Sequence, residues 1–436
     1  MKPVNVSAAG VEPNPARRAG GVWGRVSWAV GDQALSSATN IGTAVVAARV
    51  LDRQAFGAFG LAFAVYLLVL GGCRALVTEP LVSLYSNLRP ATIAPLIRAA
   101  TGAAVGIGVV FAAGVAVMGA ALGGAGGRAL AALALVLPGL LLQDSWRYCF
   151  VAAGRPEAAV ANDAIWCVVQ AATLVVLAVG GHLGLVVIVL WWGGAGTVAA
   201  VAGCRQATMM PAVFSARRWV TEHWHLGGRY TTEFVAATGA GQATLLGLGA
   251  IAGLTALGAV RGAQVFFGPI NVLFGGIYLA LAAEGSRLRT EPRQLRRLMA
   301  LASGALMVAG ACWLFLGLAL PVSAGHHFFG DNWGPSRELL VPVGLAVLGG
   351  GAAAGAIAGL RSLAAAQASL RARLYGLPVV LAAPLAAAAK GPKAFAVGLA
   401  LATWVGAVIW WRQFEQELNS PPAAQRPDRS DPDEAR

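Results

Sequence analysis

The sequence predicts an all-α polytopic membrane protein with about twelve transmembrane helices in two six-helix halves. Its composition, its apolar segments and the placement of its basic residues all indicate this fold. Of the 436 residues, 57% are hydrophobic and only 12% are charged, whereas soluble domains carry about 25% charged residues. Most of the chain is therefore expected to lie in a bilayer.

The apolar segments give the number of helices. A helix needs about 20 apolar residues to cross the hydrocarbon core. Twelve segments meet this requirement, at 27–50, 56–77, 99–122, 129–152, 158–180, 184–204, 231–253, 258–282, 299–320, 338–359, 373–389 and 394–411. The eleventh is the weakest, because Pro378 and Pro384 interrupt it.

The basic residues give the orientation. Lys and Arg concentrate in cytoplasmic loops of membrane proteins. With the N-terminus placed inside, all but seven of the 32 Lys and Arg residues fall on the inner side, the exceptions being Arg49, Arg53, Arg128, Arg261, Arg337, Lys390 and Lys393. This asymmetry predicts an even number of spans with both termini in the cytoplasm.

The polar segments divide the chain. We expect disordered cytoplasmic ends at 1–21 and 413–436, and a cytoplasmic linker at 206–229. The linker separates an N-terminal six-helix bundle at 22–205 from a C-terminal one at 230–412. No removable signal peptide is evident at the N-terminus.

The two bundles are weak repeats. At an offset of 201 residues, Asp32 matches Glu233 and Thr43 matches Thr244. Halves with an even number of spans form parallel repeats about an axis along the membrane normal. Such a pair can enclose a cavity that opens alternately to either side.

Several polar side chains inside the spans are candidate cavity residues. Asp32 and Glu233 lie near the starts of equivalent spans. A carboxylate there could pair with an arginine, carry a coupling proton if burial raises its pKa, or cap the helix. Asn40 and Gln242 lie deeper and could bind hydroxyl groups of a ligand or hydrogen-bond across helices.

Three prolines are candidate gating hinges. Pro138, Pro269 and Pro342 fall within the fourth, eighth and tenth predicted spans. A proline inside a helix removes a backbone hydrogen bond, which permits bending but also produces static kinks.

Sequence motifs near the N-terminus resemble one family. The motifs are DQALSS at 32–37, ARVL at 48–51, Phe56-Gly57, and RALVTEPL at 74–81. They resemble Wzx-like polysaccharide-biosynthesis flippases of the multidrug/oligosaccharidyl-lipid/polysaccharide (MOP) exporter superfamily. The resemblance is clearest over about 25–90 and implies the fold shared with MATE transporters.

The resemblance also implies a function. Family members flip undecaprenyl-diphosphate-linked oligosaccharides from the cytoplasmic to the outer leaflet of the bacterial plasma membrane. Expected partners are the lipid-linked glycan, membrane lipids, and glycosyltransferases or a polymerase of the same pathway. No cofactor, nucleic acid or enzymatic activity is expected.

Arginines would recognise such a substrate, because the guanidinium group binds phosphate oxygens in a bidentate manner and stays charged when buried. The candidates inside or at the ends of spans are Arg25, Arg49, Arg74, Arg147 and Arg261. Each could instead be an interfacial anchor that extends its charged end toward water.

Other functions compete with this interpretation. A multidrug or cation antiporter of the same superfamily would hold acidic residues in an uncharged, aromatic cavity. A membrane glycan polymerase or ligase would place its catalytic groups on a large outer loop, for which only 321–337 is long enough. The sequence contains no P-loop motif. His326, His327 and Asp331 lack an evident further ligand, so we expect no metal site.

Overall fold

The computed structural model describes residues 37–420 except 38 and 87. These residues form α-helices with short π-helical and 3₁₀ turns, and the described part of the chain contains no β-strand. Ten of its helices are long and apolar enough to cross a membrane. The predicted fold class is confirmed.

The N-terminal half contains six helices. The described part of the first span, α1, covers 39–50, and it is followed by α2 (Arg53–Tyr85), α3 (Ala91–Leu122), α4 (Gly124–Ala152), α5 (Pro156–Val179) and α6 (Leu185–Ala207). The helix starts follow local rules. The Asp52 carboxylate accepts a hydrogen bond from the Ala55 amide and so caps α2. Residues 74–78 of α2 form a π-helical turn.

The C-terminal half also contains six helices. They are α7 (216–252), α8 (254–287), α9 (Pro292–Ala319), α10 (Leu340–Ser362), α11 (Ala366–Ala388) and α12 (Pro392–Leu418). Gly253 separates α7 from α8, because its φ of 85° is a left-handed conformation that favours glycine. Short helices at Val322–Phe329 and Trp333–Glu338 connect α9 to α10.

Two predicted boundaries differ from the structure. The predicted linker at 206–229 is helical from Ala216 onward, because α7 begins with an amphipathic helix, Ala216–Phe234, before it reaches its apolar part. The predicted tail at 413–436 begins too early, since α12 continues to Leu418. Both errors arose because polar helical turns that extend beyond the apolar region resemble loops in the sequence.

Large apolar side chains on the outer surface of the bundle are exposed. Val110 and Val117 of α3 are 70% and 71% exposed, and Val176 and Val179 of α5 are 72% and 85% exposed. Such a broad apolar surface is unusual on a soluble protein. It is the surface expected to contact lipid tails.

The two halves meet at the predicted outer end. The Asn332 side-chain amide donates to the carbonyl oxygens of Ala48 and Leu51 at 2.7 and 2.8 Å. These carbonyls end α1, where no further helical turn satisfies them. Helices α2 and α8 also cross so closely that a Cβ on Gly57 would lie 1.8 Å from the Leu254 carbonyl oxygen. The outer end of the space between the halves is therefore closed.

Replacing Gly57 by alanine is expected to weaken this closure. The added methyl group has no room beside the Leu254 carbonyl, and such overpacking costs about 1–3 kcal/mol. A cysteine introduced at the buried Ala259 of α8, in a cysteine-free background, should then react several-fold faster with a membrane-impermeant maleimide added to intact cells. Gly114→Ala is the control, since the space around that glycine is open. Equal labelling in both variants would contradict the close contact.

The halves also touch at the predicted inner end. The Tyr85 hydroxyl lies 2.8 Å from Nε2 of His223, and the Ser83 hydroxyl lies 2.8 Å from the Tyr230 hydroxyl. These contacts join the end of α2 to the amphipathic start of α7. The space enclosed between the halves therefore lies between two contact regions.

Candidate functional site

A cavity of about 660 Å³, the central cavity, lies between the two halves. Its wall is built from α1, α2, α7, α8, α10 and α12. The polar side chains that line it are Ser37, Asn40, Gln242, Thr244, Arg261, Gln264, Asn271 and Thr403. Three predicted candidates, Asn40, Gln242 and Arg261, are thus brought together here.

The turn at Gly253 places α7 and α8 side by side, so both contribute to the cavity. Gln242 lies in the second half of α7, and Arg261 lies seven residues after the start of α8. The sequence placed Arg261 within the predicted span at 258–282, and the structure places it in the corresponding helix, α8. The positive-inside count included Arg261 among the outer residues, whereas the structure places it inside a helix at the cavity wall.

Arg261 is the only charged side chain among the described residues that line this cavity. Its guanidinium carbon lies 4.5 Å from the centre of the Phe63 ring, a cation–π contact. Its Nε is buried with no hydrogen-bond partner among the described residues. Because an arginine at membrane depth is costly unless it is paired, this geometry favours an anion in the cavity.

Amide side chains share the cavity wall with the arginine. Asn40 comes from α1, Gln242 from α7, and Gln264 and Asn271 from α8. Oε1 of Gln242 is buried with no hydrogen-bond partner in the part of the chain that the structure describes. Each amide offers both donors and an acceptor, which suits a ligand rich in hydroxyl groups.

Arg74 and Arg147 do not line the cavity. Arg74 binds the Asp144 carboxylate in a bidentate manner, with Nε–Oδ2 and Nη2–Oδ1 distances of 2.8 and 2.6 Å. Arg147 contacts Asp144 at 3.5 Å and Asp163 at 3.2 Å. These two arginines and two aspartates form a neutral cluster inside the N-terminal half, so the arginines already have anionic partners.

Amides continue this cluster away from the cavity. Gln143 donates to Asp163 at 2.7 Å, and Asn162 donates to the Ala199 carbonyl and to Gln206 at 2.8 and 3.0 Å. Buried polar groups are stable only when such partners are present. The cluster therefore ties α2, α4, α5 and α6 together.

The remaining polar candidates lie elsewhere. Arg49 is exposed at the rim of the predicted outer end. Glu233 pairs with Arg373 at 3.4 Å near the predicted inner end and does not reach the cavity. Arg25 and Asp32 lie outside the described residues.

The three candidate hinge prolines differ in position. Pro138 lies inside α4 and Pro269 lies at the start of Gly268–Arg287, just after a break in α8 at Phe267. Pro342 lies in the first turn of α10, where its missing N–H removes no helical hydrogen bond. The expectation that Pro342 interrupts its helix is therefore wrong, and its role as a hinge loses its physical basis.

Sequence reasoning missed several residues. Asp163 and its partner Gln143 were not singled out, although an ionisable residue within an apolar span is itself a signal. Gln264 and Asn271 were also missed, and they follow Arg261 at spacings that keep them near its face of α8.

One histidine of the 321–337 segment contacts a carboxylate. His326 Nε2 lies 3.2 Å from Asp331, and both side chains are largely exposed. No group of three metal-ligating residues occurs among the described residues.

Comparison with known proteins relates the fold to one superfamily. No protein-family model matches the sequence, and no curated protein sequence matches it. Solved structures do match. An inward-facing multidrug resistance MATE family transporter of the MOP superfamily has a TM-score of 0.66 at 12% identity, covering 88% of this chain and 94% of its own.

Two further structures support the same fold. The lipid II flippase MurJ in an inward closed conformation has a TM-score of 0.67 at 9% identity, covering 90% of each chain. A MOP superfamily transporter from Pyrococcus furiosus has a TM-score of 0.57 at 9% identity, covering 91% of this chain and 95% of that chain. This chain is therefore a multi-pass membrane protein with the fold of MOP-superfamily transporters, a fold that these structures show in multidrug transporters and in a lipid flippase.

Proposed function

We propose that this protein flips an undecaprenyl-diphosphate-linked oligosaccharide across the bacterial plasma membrane for the synthesis of a surface polysaccharide. Transport proceeds by alternating access through the central cavity, with both termini of the chain in the cytoplasm. The glycosyltransferases that build the oligosaccharide, or a polymerase that extends it, are the proposed partners in the pathway.

The observation that carries this proposal is that Arg261 lines the cavity with no ion-pair partner among the described residues. The cavity offers one cation and, among the described residues of its wall, no carboxylate. A diphosphate supplies the anion that such a cavity lacks, and arginine binds phosphate oxygens in a bidentate manner. A cation antiporter would need the opposite charge at this place.

The amides around Arg261 suit the glycan. Asn40, Gln242, Gln264 and Asn271 can donate to and accept from sugar hydroxyls. A volume of about 660 Å³ is in the range of pockets that enclose ligands of moderate size. The cavity therefore accommodates a polar head group, while the lipid tail stays in the bilayer.

The membrane potential favours the proposed direction. Moving one charge through 100 mV is worth about 2.3 kcal/mol, so a dianion that leaves an inside-negative cell gains roughly 4–5 kcal/mol. Export of the diphosphate needs no ATP on this account. The contacts at Asn332 and at Tyr85 would separate in turn as the cavity opens to each side.

The test is the distribution of lipid-linked oligosaccharide between the leaflets in cells that lack the protein. We expect accumulation in the inner leaflet and its reversal by the wild-type gene. Purified protein in liposomes should likewise move a fluorescently labelled isoprenyl-diphosphate glycan to the opposite leaflet.

A normal leaflet distribution in the deletion strain would refute the proposal. If efflux of cationic dyes were lost instead, the protein would be a multidrug antiporter. Measuring both phenotypes in the same strain separates the two functions.

A further inference from the structure

A second cavity, of about 710 Å³, lies near the predicted cytoplasmic ends of α7, α10, α11 and α12. It is separate from the central cavity and shares none of its lining residues. Its charged lining residues are Arg229, Glu233, Arg361 and Arg373. Three arginines against one glutamate give the lining a formal charge of +2.

Arg373 is the most buried of these cations. Its side chain is 15% exposed, and its Nη2 lies 3.4 Å from a Glu233 carboxylate that is itself 54% exposed. Its guanidinium carbon also lies 5.9 Å from the centre of the Trp410 ring. A single solvent-exposed carboxylate at this distance is a weak partner for a largely buried arginine.

Two nearby arginines outside the cavity have shorter ion pairs than Arg373 has. Arg371 lies 3.0 Å from Glu417, and Arg296 contacts Glu415. Within the cavity, Glu233 is the only carboxylate among the described lining residues. The described lining of the cavity therefore keeps an excess of positive charge.

The rest of the cavity wall is apolar. Ile357 and Leu360 of α10, Leu370 of α11 and Trp410 of α12 line it. A site that combines arginines at the membrane surface with an apolar wall matches a ligand with an anionic head and a hydrocarbon tail. Basic pockets between transmembrane helices on the cytoplasmic side bind anionic lipid head groups in this way.

We propose that this cavity binds an anionic phospholipid of the cytoplasmic leaflet. The phosphate group pairs with Arg229, Arg361 and Arg373, and an acyl chain lies against Leu360 and Trp410. This binding does not depend on the substrate of the central cavity. The bound lipid would join α7 to α10 and α11 at the predicted inner end.

Native mass spectrometry of the full-length protein in detergent tests the proposal. The protein is titrated with phosphatidylglycerol and, separately, with phosphatidylcholine. The wild type should bind phosphatidylglycerol more tightly than phosphatidylcholine. Arg229 and Arg361 are both exposed, and the double variant Arg229→Gln/Arg361→Gln should bind phosphatidylglycerol about fivefold more weakly for each arginine removed. Glu233→Gln, which removes the one carboxylate of the described lining, should bind phosphatidylglycerol more tightly than the wild type.

The control is Arg293→Gln/Arg297→Gln, which removes the same charge from an exposed surface on the same predicted side. It should keep the wild-type preference. Unchanged binding in the cavity variant, or an equal loss in the control, would overturn the proposal. Displacement of the phospholipid by inorganic phosphate or by a short isoprenyl diphosphate would overturn it in favour of a soluble anion or a substrate lipid.

Discussion

Replacing Arg261 by alanine is expected to lower transport of the lipid-linked oligosaccharide about 10- to 150-fold. Hydrogen bonds to a charged group are worth about 1.5–3 kcal/mol, and every 1.4 kcal/mol is a factor of ten. Arg261 is the only cation among the described residues of the cavity wall, so no other described residue of the wall can replace its charge. The measurement is the initial rate of leaflet transfer in liposomes, normalised to the amount of folded protein.

Two further variants define the role of Arg261. Arg261→Lys keeps the charge but loses the bidentate geometry, so an intermediate rate is expected. Arg128→Ala removes an exposed arginine at the predicted outer end and should leave the rate unchanged. Full transport by folded Arg261→Ala protein would show that the cavity does not recognise its substrate through this cation.

Replacing Asp144 by asparagine is expected to destabilise the protein by about 3–5 kcal/mol, the usual cost of breaking a buried ion pair. Asp144 contacts both Arg74 and Arg147, and its side chain is only 5% exposed. Without it, the cluster holds two arginines against Asp163 alone. The measurement is thermal unfolding in detergent. The fraction of folded protein at each temperature is read from the monodisperse peak in size-exclusion chromatography.

A double variant tests whether the lost charge balance causes this effect. Arg74→Gln/Asp144→Asn removes one cation together with one anion, so it should be more stable than Asp144→Asn alone. Gln413→Ala is a control for truncation of a buried polar side chain outside the cluster. The single variant Arg74→Gln is measured as well. If the double variant lost as much stability as the two single variants together, Arg74 and Asp144 would not act as a pair.

Most of the fold followed from the sequence because a bilayer imposes simple requirements. An apolar stretch of about 20 residues predicts a spanning helix wherever it occurs, and eleven of the twelve predicted spans correspond to described helices. The first is described only from residue 37. Helix ends were predicted less well, because the turns at Ala216–Arg229 and Gln413–Leu418 are helical but polar.

The candidate site was only partly predictable. The sequence identified Asn40, Gln242 and Arg261 as polar residues inside spans, and the structure brings them to one cavity. It also identified Arg74 and Arg147 as candidates, and their charges are balanced by aspartates on α4 and α5. Sequence position shows that a residue lies at membrane depth but not which residues face it across the bundle.

By itself, the sequence determined that this protein is a helical membrane protein, and its basic residues indicated an orientation. These properties depend on the free energy of transferring each segment from water to lipid, and that free energy is set by the residues of the segment itself. Only the tertiary structure decided which of the predicted candidates Arg74, Arg147 and Arg261 lines the central cavity. The charge of Arg74 is balanced by a contact with Asp144, 70 residues away in the chain, whereas packing against Phe63 leaves Arg261 beside an open cavity. Such pairings depend on how helices distant in sequence are packed together.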